Sequence, residues 1–296
     1  MRLAILDFQT SVTHNIILRY NYDKYQVSKL VELKLCEPIV EKKNLRSDEI
    51  QDLTLIPNGH FVVTNSNLIL RRSTKIYGRE HNQLKDLGKH FYFVTLTSDG
   101  HLAFTNDTNT ISVYSVDGTP TREITCRGPT AELQLAGITS TPAGELLVCD
   151  RNTETVYRVN PSTGDTTPIS KPDTFKFPYY VASTISDVTI VSDVSGHFIK
   201  GLDKDGREVF KYGKGGSGQG ELDCPYGVCT DAADHIIVAD ARNHRVHLLT
   251  PDAKFLRYVL SKEDGVSFPY SVAINQEGQL VVGDQGGNIF TITYRK

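Results

Sequence analysis

Three features of the 296-residue sequence predict an all-β fold, a six-bladed β-propeller of four-stranded antiparallel blades. One pattern recurs six times: small or apolar residues, a turn, three or four β-forming residues, then Asp or Asn. The copies end about 41 to 47 residues apart, the span of one propeller blade. No helical period of comparable length interrupts them.

The first copy, Asp52 to Asn65, reads DLTLIPNGHFVVTN and places a tight turn at Asn58-Gly59 between two short β runs. The second (Phe93 to Asn106) and third (Gly137 to Asp150) turn at Asp99-Gly100 and Ala143-Gly144. The fourth spans Tyr180 to Asp193, the fifth Gly227 to Asp240, and the sixth, Ser271 to Asp284, turns at Glu277-Gly278. After each Asn or Asp a third strand is expected, as in Val156-Tyr157-Arg158-Val159 or Val246-His247-Leu248-Leu249. A turn such as Val116-Asp117-Gly118 or Asp203-Lys204-Asp205-Gly206 then leads to a fourth. A closed ring of such blades leaves only short, protected edges.

The sixth copy reaches Lys296 after three strands, the last running roughly from Asn288 to Tyr294. The missing outer strand is assigned to the alternating Lys29-Leu30-Val31-Glu32-Leu33-Lys34-Leu35, about residues 29–35, which closes the ring. Residues 1–49 are thus an N-terminal segment holding the closing strand, and 50–296 the propeller. Residues 1 to about 25 are either an additional strand or a remnant of a preceding region.

Composition narrows the function. Charged residues make up 23% and hydrophobic ones 39%, enough for a large core. Lys+Arg 32 against Asp+Glu 35 gives a net charge of -3, which excludes the broad cationic surface of a strongly basic nucleic-acid binder and leaves only a local patch. Five cysteines without a Cys-x-x-Cys pair fit reduced, buried thiols better than a disulfide framework or a zinc knuckle. Leu3-Ala4-Ile5-Leu6 is too short for a secretory signal, and no apolar run approaches the roughly 20 residues of a membrane span. A cytoplasmic protein without membrane contact is expected.

The fifth copy carries a more specific signal. Its glycine-rich lead Tyr212-Gly-Lys-Gly-Gly-Ser-Gly-Gln-Gly, then Pro225-Tyr-Gly-Val, Val-Ala-Asp240 and Asn243-His244-Arg245-Val246, closely resembles the NHL repeat. Other copies match in part: Pro178 and Pro269 keep the proline, Asn109 and Asn152 the asparagine, while Asn65 and Asn106 replace the aspartate. The copies together cover about residues 50 to 296. Six-bladed propellers of this kind form the C-terminal recognition domain of tripartite-motif proteins, so the resemblance implies binding of protein partners or of RNA. That family's ubiquitin-ligase chemistry needs an N-terminal zinc RING, and this sequence has no cysteine/histidine cluster, B-box or heptad coiled coil. A complete chain could not ligate ubiquitin by that route; a fragment of a longer protein would be its substrate-selecting end.

Strand order places the candidate site. Connections alternate ends in an antiparallel blade, so the loops between second and third strands share a face with the inter-blade links. The links deliver Tyr92, Tyr179, Tyr226 and Tyr270 at equivalent positions, with Gln51 and Ala136 in the other two blades. The loops add Arg151, Arg242, Asn152, Asn243, Asn109, Ser195 and Asn288. Amphipathic tyrosine rings suit protein contacts or base stacking, and guanidinium groups suit phosphate or carboxylate. The tyrosines equally suit packing against the neighbouring blade. Lys176, Lys211, Lys214 and Lys262 are offset by Asp173, Glu221, Asp223 and Glu263, which ranks a protein partner above single-stranded RNA.

Catalytic readings fare worse. The six Asn/Asp residues are expected to cap strands by accepting backbone hydrogen bonds. The inner-strand starts Asp52, Phe93, Gly137, Tyr180, Gly227 and Ser271 offer one carboxylate and no histidine, whereas calcium takes six or more oxygen ligands. His60, His101 and His235 fall on the opposite face, and His244 and His247 belong to the repeat. Gly213-Lys214-Gly215-Gly216-Ser217-Gly218 lacks the ending and helix of a phosphate loop. No nucleophile elbow is present. The expectation is a non-catalytic recognition or scaffold module without cofactor or metal, binding a protein partner or ubiquitination substrate on the tyrosine rim. Single-stranded RNA binding on the same face is the alternative, and a metal-dependent propeller hydrolase or lyase the second.

Overall fold

The computed structural model describes residues 35–45, 49–65, 73–128 and 132–295, which form six four-stranded antiparallel sheets. Strand β1 is Leu35–Asn44. Blade one holds β2 (Asp52–Leu55), β3 (Phe61–Thr64), β4 (Lys75–Tyr77) and β5 (Gln83–Asp86), and blade two β6 (Phe93–Leu96) to β9 (Pro120–Thr125). Blade three runs from β10 (Leu135–Ser140) to β13 (Thr166–Pro168) and blade four from β14 (Pro178–Ser183) to β17 (Glu208–Tyr212). Blade five is β18 (Pro225–Thr230), β19 (Ile236–Asp240), β20 (Arg245–Leu249) and β21 (Phe255–Leu260). Blade six is β22 (Pro269–Ile274), β23 (Leu280–Asp284) and β24 (Asn288–Arg295), completed by β1.

Burial follows position in the blade. Every residue of Leu146–Asp150, Ile236–Asp240 and Leu280–Asp284, the second strands of blades three, five and six, is buried, because both faces meet a neighbouring blade. The outer strand Gln83–Asp86 is exposed throughout. Inner strands of adjacent blades nearly touch. A β-carbon added to Gly137 would lie 2.4 Å from the Tyr179 carbonyl oxygen, and one on Gly227 would lie 2.7 Å from that of Tyr270, so both positions exclude a side chain.

The hairpins between first and second strands share one device. Thr97, Thr141, Thr184, Asp231 and Asn275 each accept the backbone N–H of the residue four positions on. The expected turn glycines Gly59, Gly100, Gly144 and Gly278 all have positive φ, and Asp187 and Asp234 take that conformation in blades four and five.

Ring closure differs in position from the sequence expectation. The closing strand is Leu35–Asn44, pairing antiparallel with β24 from Asn44 opposite Asn288 to Leu35 opposite Arg295. Of the expected strand, only Leu35 falls within it; residues 29–34, like residues 1 to 25, lie outside the described residues. Arg257 fastens the join by donating to the carbonyls of Cys36 (2.5 Å) and Tyr294 (2.7 Å). All five cysteines are unpaired, and three of them are buried. No described helix is long and apolar enough to cross a membrane.

Candidate functional site

The Asn/Asp column ties each blade together. Asp150, Asp193, Asp240 and Asp284 are fully buried. Each accepts N–H groups from the link entering its own blade: Gln134 on Asp150 (2.6 Å), Lys176 and Phe177 on Asp193 (2.5 and 3.1 Å), Asp223 on Asp240 (2.7 Å), and Ser267 on Asp284 (3.3 Å). The loop after the strand supplies the rest, as with Gly196 on Asp193 (2.6 Å) and Asn288 on Asp284 (2.9 Å). In blade five the Asp240 carboxylate also receives Arg245 Nε at 2.8 Å and stands 3.0 Å from His247 Nε2. The other nitrogen of that buried imidazole meets the Tyr212 hydroxyl at 2.9 Å. The Asn-His-Arg-Val segment is therefore structural.

The centre of the ring is filled by aromatic side chains. Tyr180, buried on blade four, reaches across to blade one and donates to the Gln51 carbonyl, while Gln51 Nε2 points back at its hydroxyl from 3.4 Å. The Phe93 ring packs edge-on against Tyr180 and Tyr179, each at 5.0 Å. Beside them Asp52 accepts the N–H groups of Leu53 (2.9 Å) and Val94 (3.0 Å). Burial pushes its carboxyl up to about 8, so it stays protonated at neutral pH.

On the rim, the two residue columns meet as strand order requires. Tyr226 and Tyr270 stack at 4.6 Å, and Tyr179 meets Tyr226 edge-on at 5.3 Å. Tyr179 is held further by Phe177, Phe93 and Tyr180. Tyr92 stands apart on blade two, edge-on to His90 at 4.8 Å. All four are half-buried, so each rim tyrosine both packs and presents an edge to solvent. Burial raises all four phenols, that of Tyr270 to about 12, which keeps them hydrogen-bond donors at neutral pH.

A pocket of about 600 Å³ opens on this face between blades four, five and six, lined by Ser195, Arg242, Tyr226 and Tyr270 together with His197, Cys224, Phe268 and Gln285. Three expected binding residues are engaged elsewhere. Asn243 donates to the Asp240 carboxylate and to the Gly216 carbonyl, both at 2.9 Å. Asn152 donates to the Glu132 carbonyl at 2.8 Å. Arg151 is paired with Asp107 at 2.8 Å. These contacts tie all three into the fold, while Arg151 Nε has no hydrogen-bond partner among the described residues.

His197, Asp223 and Cys224 were not singled out by sequence, yet their ligand atoms lie within 4.8 Å of one another at the pocket edge. Nitrogen, oxygen and sulfur donors of this kind suit zinc. Here His197 Nδ1 accepts the Cys224 N–H at 3.2 Å, as His244 Nδ1 accepts that of Phe268 at 3.1 Å one blade on. Burial raises the Cys224 thiol, and Arg242 stands 4.0 Å from Asp223. The repetition in the next blade marks the His197 contact as an inter-blade clasp. Column alignment is the signal that finds it: both histidines follow the strand-ending aspartate by four positions.

The NHL repeat model matches residues 222–247, the link, Asp240 and histidine segment just described. That match lies in the fifth of six four-stranded blades. The chain is an NHL-repeat β-propeller. Partial similarity links this NHL propeller to lin-41 of Caenorhabditis elegans, 44% identical over 48 residues, which is 16% of this chain and 4% of that protein. NHL-repeat-containing protein 4 of Mus musculus is 41% identical over 64 residues, 22% of this chain and 45% of the relative. The aligned segments thus span less than half of either relative. Among solved structures, virginiamycin B lyase from Staphylococcus aureus superposes with a TM-score of 0.62 at 13% identity, covering 87% of this chain and 99% of the lyase. At that identity the likeness is one of fold.

Proposed function

We propose that this NHL propeller is a non-catalytic recognition module that binds a protein partner on its tyrosine rim, as the substrate-binding part of a tripartite-motif-like ubiquitin ligase system. The observation that carries the reading is the rim pocket, where the stacked Tyr226 and Tyr270 and the exposed Arg242 surround about 600 Å³. Aromatic rings beside an arginine are the side chains that dominate protein interfaces. Partial similarity to lin-41 and the NHL signature support the tripartite-motif-like context.

The same geometry argues against an enzyme of the channel type. The inner-strand carboxylate Asp52 is buried, burial pushes its carboxyl up to about 8, and Tyr180 packs against Phe93 while donating to the Gln51 carbonyl. The net charge of -3 argues for protein over RNA.

Site-specific photocrosslinking tests the reading. A photoreactive side chain at Ser195, on the rim, is expected to capture a discrete partner in cells. The same group at Asp99, in the hairpin turn on the opposite face, is expected to capture none. Equal capture from both faces would count against it.

A further inference from the structure

The two rim arginines use their charge differently. Arg151 and its partner Asp107 are both half-buried and 2.8 Å apart, and the guanidinium lies over the Phe177 ring at 5.8 Å. Arg242 is 63% exposed, and the carboxylate facing it, Asp223, stands 4.0 Å away, too far for a hydrogen bond. Asp223 also lies 3.4 Å from His197 Nδ1.

Tyr226 and Tyr270 line the same pocket, and the Arg242 charge acts on both phenols. Among the described residues, neither hydroxyl and no atom of the Arg242 guanidinium has a hydrogen-bond partner. Ser195, exposed at the pocket edge, adds another hydroxyl. The pocket therefore gathers donors around one exposed guanidinium whose ion-pair partner, Asp223, stands beyond hydrogen-bond distance.

We propose that it receives the carboxylate of an aspartate or glutamate side chain of the protein partner, with Arg242 as the ion pair and Tyr226 and Tyr270 as hydrogen-bond donors. This rests on the rim being the partner-binding face. A single guanidinium matches a carboxylate in a bidentate pair. A doubly charged phosphate would face the Asp223 carboxylate with the single guanidinium of Arg242 opposite it.

The probe is a phage-displayed library of random peptides selected on the folded chain. Winning peptides are expected to share an acidic position. Replacing that acid by its amide, or making Arg242→Gln, is expected to weaken binding roughly 10-fold or more. Arg242→Glu should prefer the peptide in which lysine replaces the acid. Because Arg242 is exposed, these variants should melt with the parent chain. Winning peptides without an acid, no enrichment at all, or Arg242→Gln with unchanged affinity would each overturn the proposal. Acid-free peptides lost on Tyr226→Phe and Tyr270→Phe would overturn the carboxylate alone and leave the rim reading intact. Peptides indifferent to every rim substitution would remove both.

Discussion

Tyr180 and Gln51 join opposite sides of the ring: the phenol of blade four donates to the main-chain carbonyl that opens blade one. A strut of this kind spans 129 positions of sequence and closes the centre of the propeller with a side chain. The inter-blade links and second loops come together on the rim, beside this strut.

The strut predicts a stability cost for a single oxygen. Tyr180→Phe keeps the ring packed against Phe93 but leaves the buried Gln51 carbonyl without its donor. The expected loss is about 1–3 kcal/mol, read from urea unfolding. An unchanged midpoint would show that water replaces the phenol.

Asp52 predicts a pH dependence. Its carboxyl is raised from 3.8 in the reference state to about 8 in the fold, so the folded chain holds a proton that the unfolded chain has released. The stability from this group is fully present below pH 3.8 and is lost as pH rises to about 8. Asp52→Asn is expected to flatten that decline, seen as a smaller difference between urea midpoints at about pH 5 and about pH 9. An identical slope in parent and variant would contradict it.

The rim tyrosines divide by role. Tyr179 is enclosed by Phe93, Phe177, Tyr180 and Tyr226, so Tyr179→Ala should cost about 2–4 kcal/mol. Tyr226→Phe and Tyr270→Phe retain the 4.6 Å stack and should leave the melting temperature unchanged. A melting temperature that falls as far in these two variants as in Tyr179→Ala would assign the hydroxyls to the fold.

Asp240 is predicted to act through structure. Its removal strands Arg245, which is 13% exposed and otherwise donates only to the carbonyls of Ser217, Gly218 and Glu221. Asp240→Ala should cost about 3–5 kcal/mol in chemical denaturation. Retained stability would reopen a functional role for the aspartate column.

Blade boundaries were legible because each blade repeats the same demand: an aspartate or asparagine ending the second strand and a turn residue of positive φ before it. The closing strand was harder to place. The alternation of residues 29–35 suggests an inward Leu35, whereas in β1 Leu35, Glu37 and Ile39 are exposed and Cys36, Pro38 and Val40 are half-buried, and Pro38 disguises the stretch that pairs with β24. The rim was legible because strand order alone sets which loops share a face. The internal pairing of Arg151, Asn152 and Asn243 was not, since their partners Asp107, Glu132 and Asp240 are chosen by loop conformation. Tyr180 looked like one more inner-strand residue, because nothing local announces a bond across the ring.

The most direct measurement is in-cell crosslinking of the tagged chain and of a variant carrying Tyr226→Phe, Tyr270→Phe and Arg242→Gln, with proteins and RNA counted from the same samples. The rim account predicts a reproducible set of crosslinked proteins, little RNA, and loss of those proteins in the variant at an unchanged melting temperature. Proteins captured equally by both chains, or RNA captured by the parent and lost in the variant, would contradict it.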